Sequence, residues 1–283
     1  MEKPRPRSRL RLMLGMQWYG LRRRLLWIRR GKMFAKTREK GPLPYLYAAH
    51  RTPLRRNLKD VEAWMQENKI ANLKLAAEKL HTVVLRPGEV FSYWRLIGKP
   101  TGRRGYRKGM VLRNGALRAG MGGGLCQMSN LIFWMTLHTP LTVIERHRHG
   151  YDVFPDAHRT QPFGSGATCF YPHGDLMIQN NTPQTYQLMI HVGDDFLEGE
   201  WRVSAPPRCR YQIVERNHQM RGEYWGGYTR HNELYQQRYT LAGEWINEVL
   251  AVKNDAVMMY APFLMGREHT DGPAPCALPR EKT

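Results

Sequence analysis

"DLMIQNNTPQTYQLMIHVGDDFLEGEWRVS", residues 175–204, is the stretch that decides the fold. Apolar and polar residues alternate through its runs. Asn180-Asn181 and Gly193-Asp194 stand between them, and such residues favour turns. At least three antiparallel strands are therefore expected here. The alternation returns beyond residue 211 and reads as a β-meander. Helical spacing is confined to earlier segments. A helix begins in "DVEAWMQENK", and Asn72 is a candidate cap for a second one with Leu73, Ala76, Ala77 and Leu80 on one face. "HTVVL", the turn Arg86-Pro87-Gly88-Glu89 and "VFSYW" read as strand, turn, strand, and Asn114-Gly115 marks a hairpin. Early helices followed by a mostly antiparallel sheet define an α+β fold.

The 283 residues carry a formal charge of +20, unevenly spread. Residues 1–60 hold 18 Lys or Arg against three acids, a net +15. Within them, Leu10, Leu14, Trp18, Leu21, Leu25 and Ile28 follow the spacing of one helical stripe, with arginines over much of the remaining circumference. A basic amphipathic helix over residues 9–30 is expected to rest on an anionic membrane surface or to pack its stripe on the protein's own core. Nucleic acid is a weaker expectation, since only charge speaks for it. No stretch approaches the roughly 20 apolar residues of a membrane span, and the basic N-terminus lacks the h-region of a signal peptide. The expected location is cytoplasmic, with peripheral contact at the inner membrane. Pro42, Pro44 and Pro53 punctuate a linker. The expected organisation is a basic arm over 1–44, one α+β domain over 45–260 and a flexible tail over 261–283.

The segment "GMGGGLCQMSNLIFWM", residues 120–135, places one cysteine where glycines meet an apolar run. Were a helix to start at Cys126, its free N–H groups and dipole would favour a thiolate and could serve as an oxyanion hole, with Gln127 as a further donor. Gly123 and Gly124 would let a substrate approach the backbone. In "TVIERHRHG", strand alternation puts Val143, Glu145, His147 and His149 on one face, so His147 or His149 could act as base, with Asp152 or Asp175 to orient it. The competing reading makes Cys126 a small buried apolar residue. Cys126, His147 and His149 could alternatively hold zinc, although the four cysteines (Cys126, Cys169, Cys209, Cys276) show no metal-ligand spacing; neither metal nor cofactor is expected. Arg103, Arg104, Arg107 and Lys108 form a basic loop in which Arg104 is the candidate for gripping a substrate anion.

"NLKLAAEKLHTVVLRPGEVFSYWRLIG", "GGGLCQMSNLIFWMTLHTPLTVIER" and "DLMIQNNT" together resemble the VanW family, over roughly residues 45–260. The resemblance implies a setting in glycopeptide resistance or cell-envelope metabolism and names no reaction. It favours His149 over His147, because a histidine is usual at the second position. It also marks a departure: where the family commonly has an aspartate before Ala-Thr, this chain reads "PFGSGATC", with Gly166. The order Cys, His, Asp resembles papain-like hydrolases, which suggests cysteine-dependent amide or acyl chemistry on a small-molecule or peptide substrate that the sequence leaves unnamed. A non-enzymatic accessory or ligand-binding protein at the membrane surface is the alternative.

Overall fold

The computed structural model describes residues 8–55, 62–113, 116–153, 161–260 and 262. In chain order they form α1 (Arg9–Arg29), β1 (Tyr45–Pro53), α2 (Ala63–Leu80), β2 (Val83–Leu85), β3 (Val90–Ser92), α3 (Tyr93–Ile97), β4 (Lys108–Arg113), β5 (Ala116–Met121) and α4 (Cys126–Thr136). Then come β6 (Thr142–Glu145), β7 (Tyr151–Asp152), β8 (Met177–Gln179), β9 (Tyr186–Val192), β10 (Phe196–Val203), β11 (Cys209–Gly222), β12 (Tyr228–Thr240) and β13 (Trp245–Met258). Asn114-Gly115, His158, Cys276 and the expected tail apart from Pro262 lie outside the described residues.

The expected α+β order holds: helices come early and antiparallel strands late. The central sheet runs β1-β10-β9-β2, all antiparallel. Helix α4 lies across β1 and β10, and Gly199 makes the close approach possible, since a Cβ there would sit 2.7 Å from the Met135 methyl. Trp201 is fully buried beneath this contact, and its indole N–H donates to Thr136 Oγ1 at 3.1 Å, so the largest core side chain leaves no polar group unpaired. A second sheet, β3-β8-β6, packs beside it, and the meander β11-β12-β13 takes β7 as a parallel edge.

Four expectations are corrected. The proline-punctuated linker yields to a strand: β1 pairs along β10 from Tyr45 with Val203 to Pro53 with Phe196, its proline confined to the strand end. Asn72 caps no second helix. It lies fully buried inside the continuous α2, its amide holding a loop described below. "VFSYW" stops being a strand at Ser92, whose hydroxyl accepts from Arg95 N–H and caps α3. The strand "TVIERHRHG" ends at Glu145, because its partner β8 is only three residues long and Asp175 N–H turns to the Glu145 carboxylate at 3.2 Å. His147 and His149 therefore sit in a loop, where alternation no longer fixes their side.

Helix α1 is capped by Ser8, whose hydroxyl accepts from Arg11 N–H. Its predicted apolar stripe does not pack on the core: Trp18 is 64% and Ile28 75% exposed. The opposite side is held instead. Gly20 lies against Pro172, Arg23 is buried, and Leu26 and Trp27 cover Phe34, Val90 and Met177. No described helix is long and apolar enough to cross a membrane.

Candidate functional site

The turn before Cys126 is built by three glycines that the surroundings demand. Gly124 has φ +89°, a conformation open to glycine at little cost, and a Cβ there would meet the Lys69 stem at 2.1 Å. Gly123 has its backbone pressed on the first residues of β4, where a Cβ would lie 2.0 Å from the Gly109 carbonyl carbon. Asn72 reaches across from α2 to lock both pieces. Its amide donates to Gly123 O at 2.9 Å and Arg107 O at 3.0 Å, and its oxygen accepts from Arg107 N at 2.8 Å. Of the N–H groups at the start of α4 that were expected to form an oxyanion hole, those of Gln127, Met128 and Ser129 donate to the carbonyls of Gly124 and Leu125, and in the turn before them Gly122, Gly123, Gly124 and Leu125 donate to Arg107, Gly120, Met110 and Gly122. The roles expected of Gly123 and Gly124 toward a substrate meet a turn filled by the protein itself.

Helix α4 starts at Cys126, where the glycine pattern placed it. Its thiol donates to Cys169 O at 3.6 Å. Burial pushes the thiol's pKa up, and the backbone hydrogen bonds that favour the thiolate do not offset this. Gln127 turns its amide to β1, donating to Thr52 Oγ1 and Pro53 O, each at 2.9 Å. Ser129 donates to Ala167 O at 2.6 Å, and Asn130 accepts from Ala167 N at 2.8 Å. The first turn of α4 thus clamps the segment 166–169. A side chain at Gly166 would start 2.7 Å from the Asn130 amide oxygen, so Asn130 fills the space beside this glycine.

The histidines do not close on the sulfur. No hydrogen bond joins His147 or His149 to Cys126. His147 Nε2 pairs with Glu145 at 2.8 Å, and its carbonyl accepts from Thr168 N–H at 2.8 Å. His149 is half-buried, and burial together with the neighbouring Arg148 holds its pKa below the usual imidazole value. Among the described residues no three His, Cys, Asp or Glu side chains gather as a zinc site would require. Asp152 is elsewhere, bonded to Arg230 and Tyr260. Arg104 folds back on its own loop, donating to the Ile97 and Lys99 carbonyls at 3.4 and 3.3 Å.

What the structure does assemble is a charged knot beneath α1. Arg23 donates to Glu145 and, at 2.9 Å, to His173 O. Burial alone would raise the Glu145 pKa, but hydrogen bonds from His147 and Arg23 outweigh it and pull the value down. Asp175 is fully buried, accepts from Ser92 Oγ at 2.5 Å and Trp94 N at 2.9 Å, and is pushed up to about 7 by burial. In the sequence Arg23 is one of the arginines set over the circumference outside the apolar stripe. Its only signal was position, since at about 100° per residue it falls opposite the apolar stripe. Asn72 was visible as a polar residue on an apolar face, but a cap was the simpler reading.

Comparison with known proteins now decides the family. A family model described as VanW like protein matches residues 68–202. The chain is 38% identical over 184 residues to the vancomycin B-type resistance protein VanW of Enterococcus faecalis, an alignment spanning 65% of this chain and 67% of that one. This chain belongs to the VanW family. It is also 30% identical over 113 residues to the uncharacterized protein YoaR of Bacillus subtilis, covering 40% of this chain and 36% of that protein. No solved structure matches. The VanW model span takes in most of α2, the glycine turn, α4 and the strands through most of β10. It omits α1, β1 and the meander β11–β13. So the block around Cys126 lies within the span that the family model matches, whereas the arm that supplies Arg23 precedes that span.

Proposed function

We propose that this VanW-family protein serves glycopeptide resistance, or cell-envelope metabolism more broadly, as a non-enzymatic accessory protein working in the cytoplasm. The link to resistance comes from the relative named for it. The observation that supports an accessory role is the Cys126 thiol itself. It donates to a backbone carbonyl and has a raised pKa, the reverse of what a nucleophilic cysteine needs. The polar groups around it secure α4, the glycine turn and segment 166–169 to one another. In this reading the family block is a structural keystone.

Cysteine-dependent amide or acyl transfer on a peptidoglycan-related substrate is the second reading. One observation favours it: His147 carries a carboxylate partner, Glu145, of the kind that orients a general base. Such chemistry requires Cys126 to leave the Cys169 carbonyl and meet an imidazole, with Gln127 freed from β1. The two readings separate by alkylation. Iodoacetamide labelling of the wild type, with Cys126→Ser as background, should be slow at neutral pH and accelerate only above the ordinary thiol range, about 8.5. Labelling at neutral pH faster than that of a free thiol would restore the nucleophile.

A further inference from the structure

Helix α1 has two sides with opposite fates. Leu10, Leu14, Trp18, Leu21, Leu25 and Ile28 fall within about 80° of arc at 100° per residue, and each is between 48% and 75% exposed. Gly20, Arg23, Leu26 and Trp27 occupy the opposite side and fix the helix to the body. The stripe therefore faces outward from an anchored helix. Farther toward its N-terminus the helix leaves the body: from Leu10 to Tyr19 every residue but Gly15 is exposed, and the Tyr19 ring centroid lies 6.0 Å from that of His173. A free helical segment of that length is marginal in water, so something should cover it.

Charge says what covers it. Arg11, Arg22 and Arg29 border the stripe on one flank and Arg24 on the other, all exposed. No acidic residue occurs between Glu2 and Glu39. Apolar residues flanked by arginines, without a single carboxylate, match a surface that is oily below and anionic above. We infer that α1 lies in the headgroup region of an anionic lipid bilayer, stripe inward, with the domain held above it through Arg23 and Trp27. Its depth is that of an interfacial helix, and the contact does not depend on whether Cys126 reacts.

The test is flotation of the full chain with vesicles of phosphatidylglycerol and phosphatidylcholine in equal parts, beside vesicles of phosphatidylcholine alone. The wild type should float with the anionic vesicles, lose binding as salt rises, and stay behind with the neutral ones. Trp18→Glu combined with Leu21→Glu should weaken binding by about tenfold or more, because each change removes a membrane-buried side chain. Both sites are exposed, so the melting temperature should not move. Should the double variant unfold, Arg22→Gln with Arg29→Gln replaces it and must reduce anionic binding. Equal flotation with both vesicle types, or with neither, overturns the proposal. So does a wild-type oligomer that Trp18→Glu converts to monomer, since a second copy would then be what covers the stripe.

Discussion

The glycine turn at Cys126 and the arm at α1 invert each other's promise. The turn has the composition of a chemical centre, yet its amides, its glutamine and its sulfur are bonded within the protein. The arm has the composition of a loose appendage, yet one of its arginines is buried in an ion pair with Glu145, and its best apolar residues are turned to solvent. Reactive residue types in the turn are thus taken up by the bonds that hold the backbone together. A peripheral helix becomes a surface when its anchoring side and its apolar side differ.

Asp175 lies where the two regions meet, and it carries the largest predicted effect. Its N–H supports Glu145 below the arm, while its carboxylate holds the start of α3. A folded pKa of about 7, against an ordinary value near 3.8, means that the folded state keeps a proton which the unfolded chain releases. Stability from this group is therefore present below about pH 4 and lost as pH rises to about 7, by roughly 4 kcal/mol in total. The half-buried His149 and His173 shift in the opposite sense, so the difference between wild type and Asp175→Asn isolates the aspartate. Urea unfolding at several pH values should show the variant gaining on wild type between pH ~4 and ~7. A flat difference would mean that Asp175 is ionised in the fold and that Arg23 reaches it more strongly than its burial opposes.

The keystone reading of the turn is sharpened by Gly123→Ala. The new Cβ would overlap the Gly109 backbone, which cannot swing aside as a side chain can. Either the hairpin β4–β5 shifts or Asn72 loses its carbonyl, and the expected cost is about 3 kcal/mol. Thermal unfolding reads it directly. A change below about 0.5 kcal/mol would show that the close contact is not needed, and the turn would regain its candidacy as a place where a ligand approaches.

The legible parts of this fold are those in which local pattern and tertiary need agree. Alternation located β9, β10 and the meander, and the glycines located the start of α4 at Cys126. Pattern failed wherever a long-range partner overruled it. Pro42, Pro44 and Pro53 suggested a linker, but the open edge of β10 recruited the chain between them as β1. Alternation through His149 failed because the partner strand β8 runs out, an event about 30 residues away in sequence. Of the candidate site, sequence supplied residue types and left their hydrogen bonds unknown. Cys126 met a carbonyl, Gln127 met β1, and Arg104 met its own loop. The helix over residues 9–30 appears as α1, while the side it turns to the body depends on Arg23 meeting Glu145, which no local pattern announces.

That arginine supplies the last way to break the comparison. Arg23→Gln keeps a donor but removes the charge facing Glu145, which retains His147 and the Asp175 N–H. Because that carboxylate is only partly exposed, losing its cation should cost about 2 kcal/mol, less than for a fully buried pair. Glu145 is stabilised in its charged form, so the difference should shrink as pH falls below the usual carboxylate range. Trypsin should then cut within residues 22–30 earlier than in wild type, as the arm opens without global unfolding. Binding to anionic vesicles should survive, since the stripe is untouched. If stability and cleavage are both unchanged, the packing of Leu26 and Trp27 and the bond from Arg95 to the Trp27 carbonyl hold the helix, and the orientation of α1 owes nothing to its buried charge.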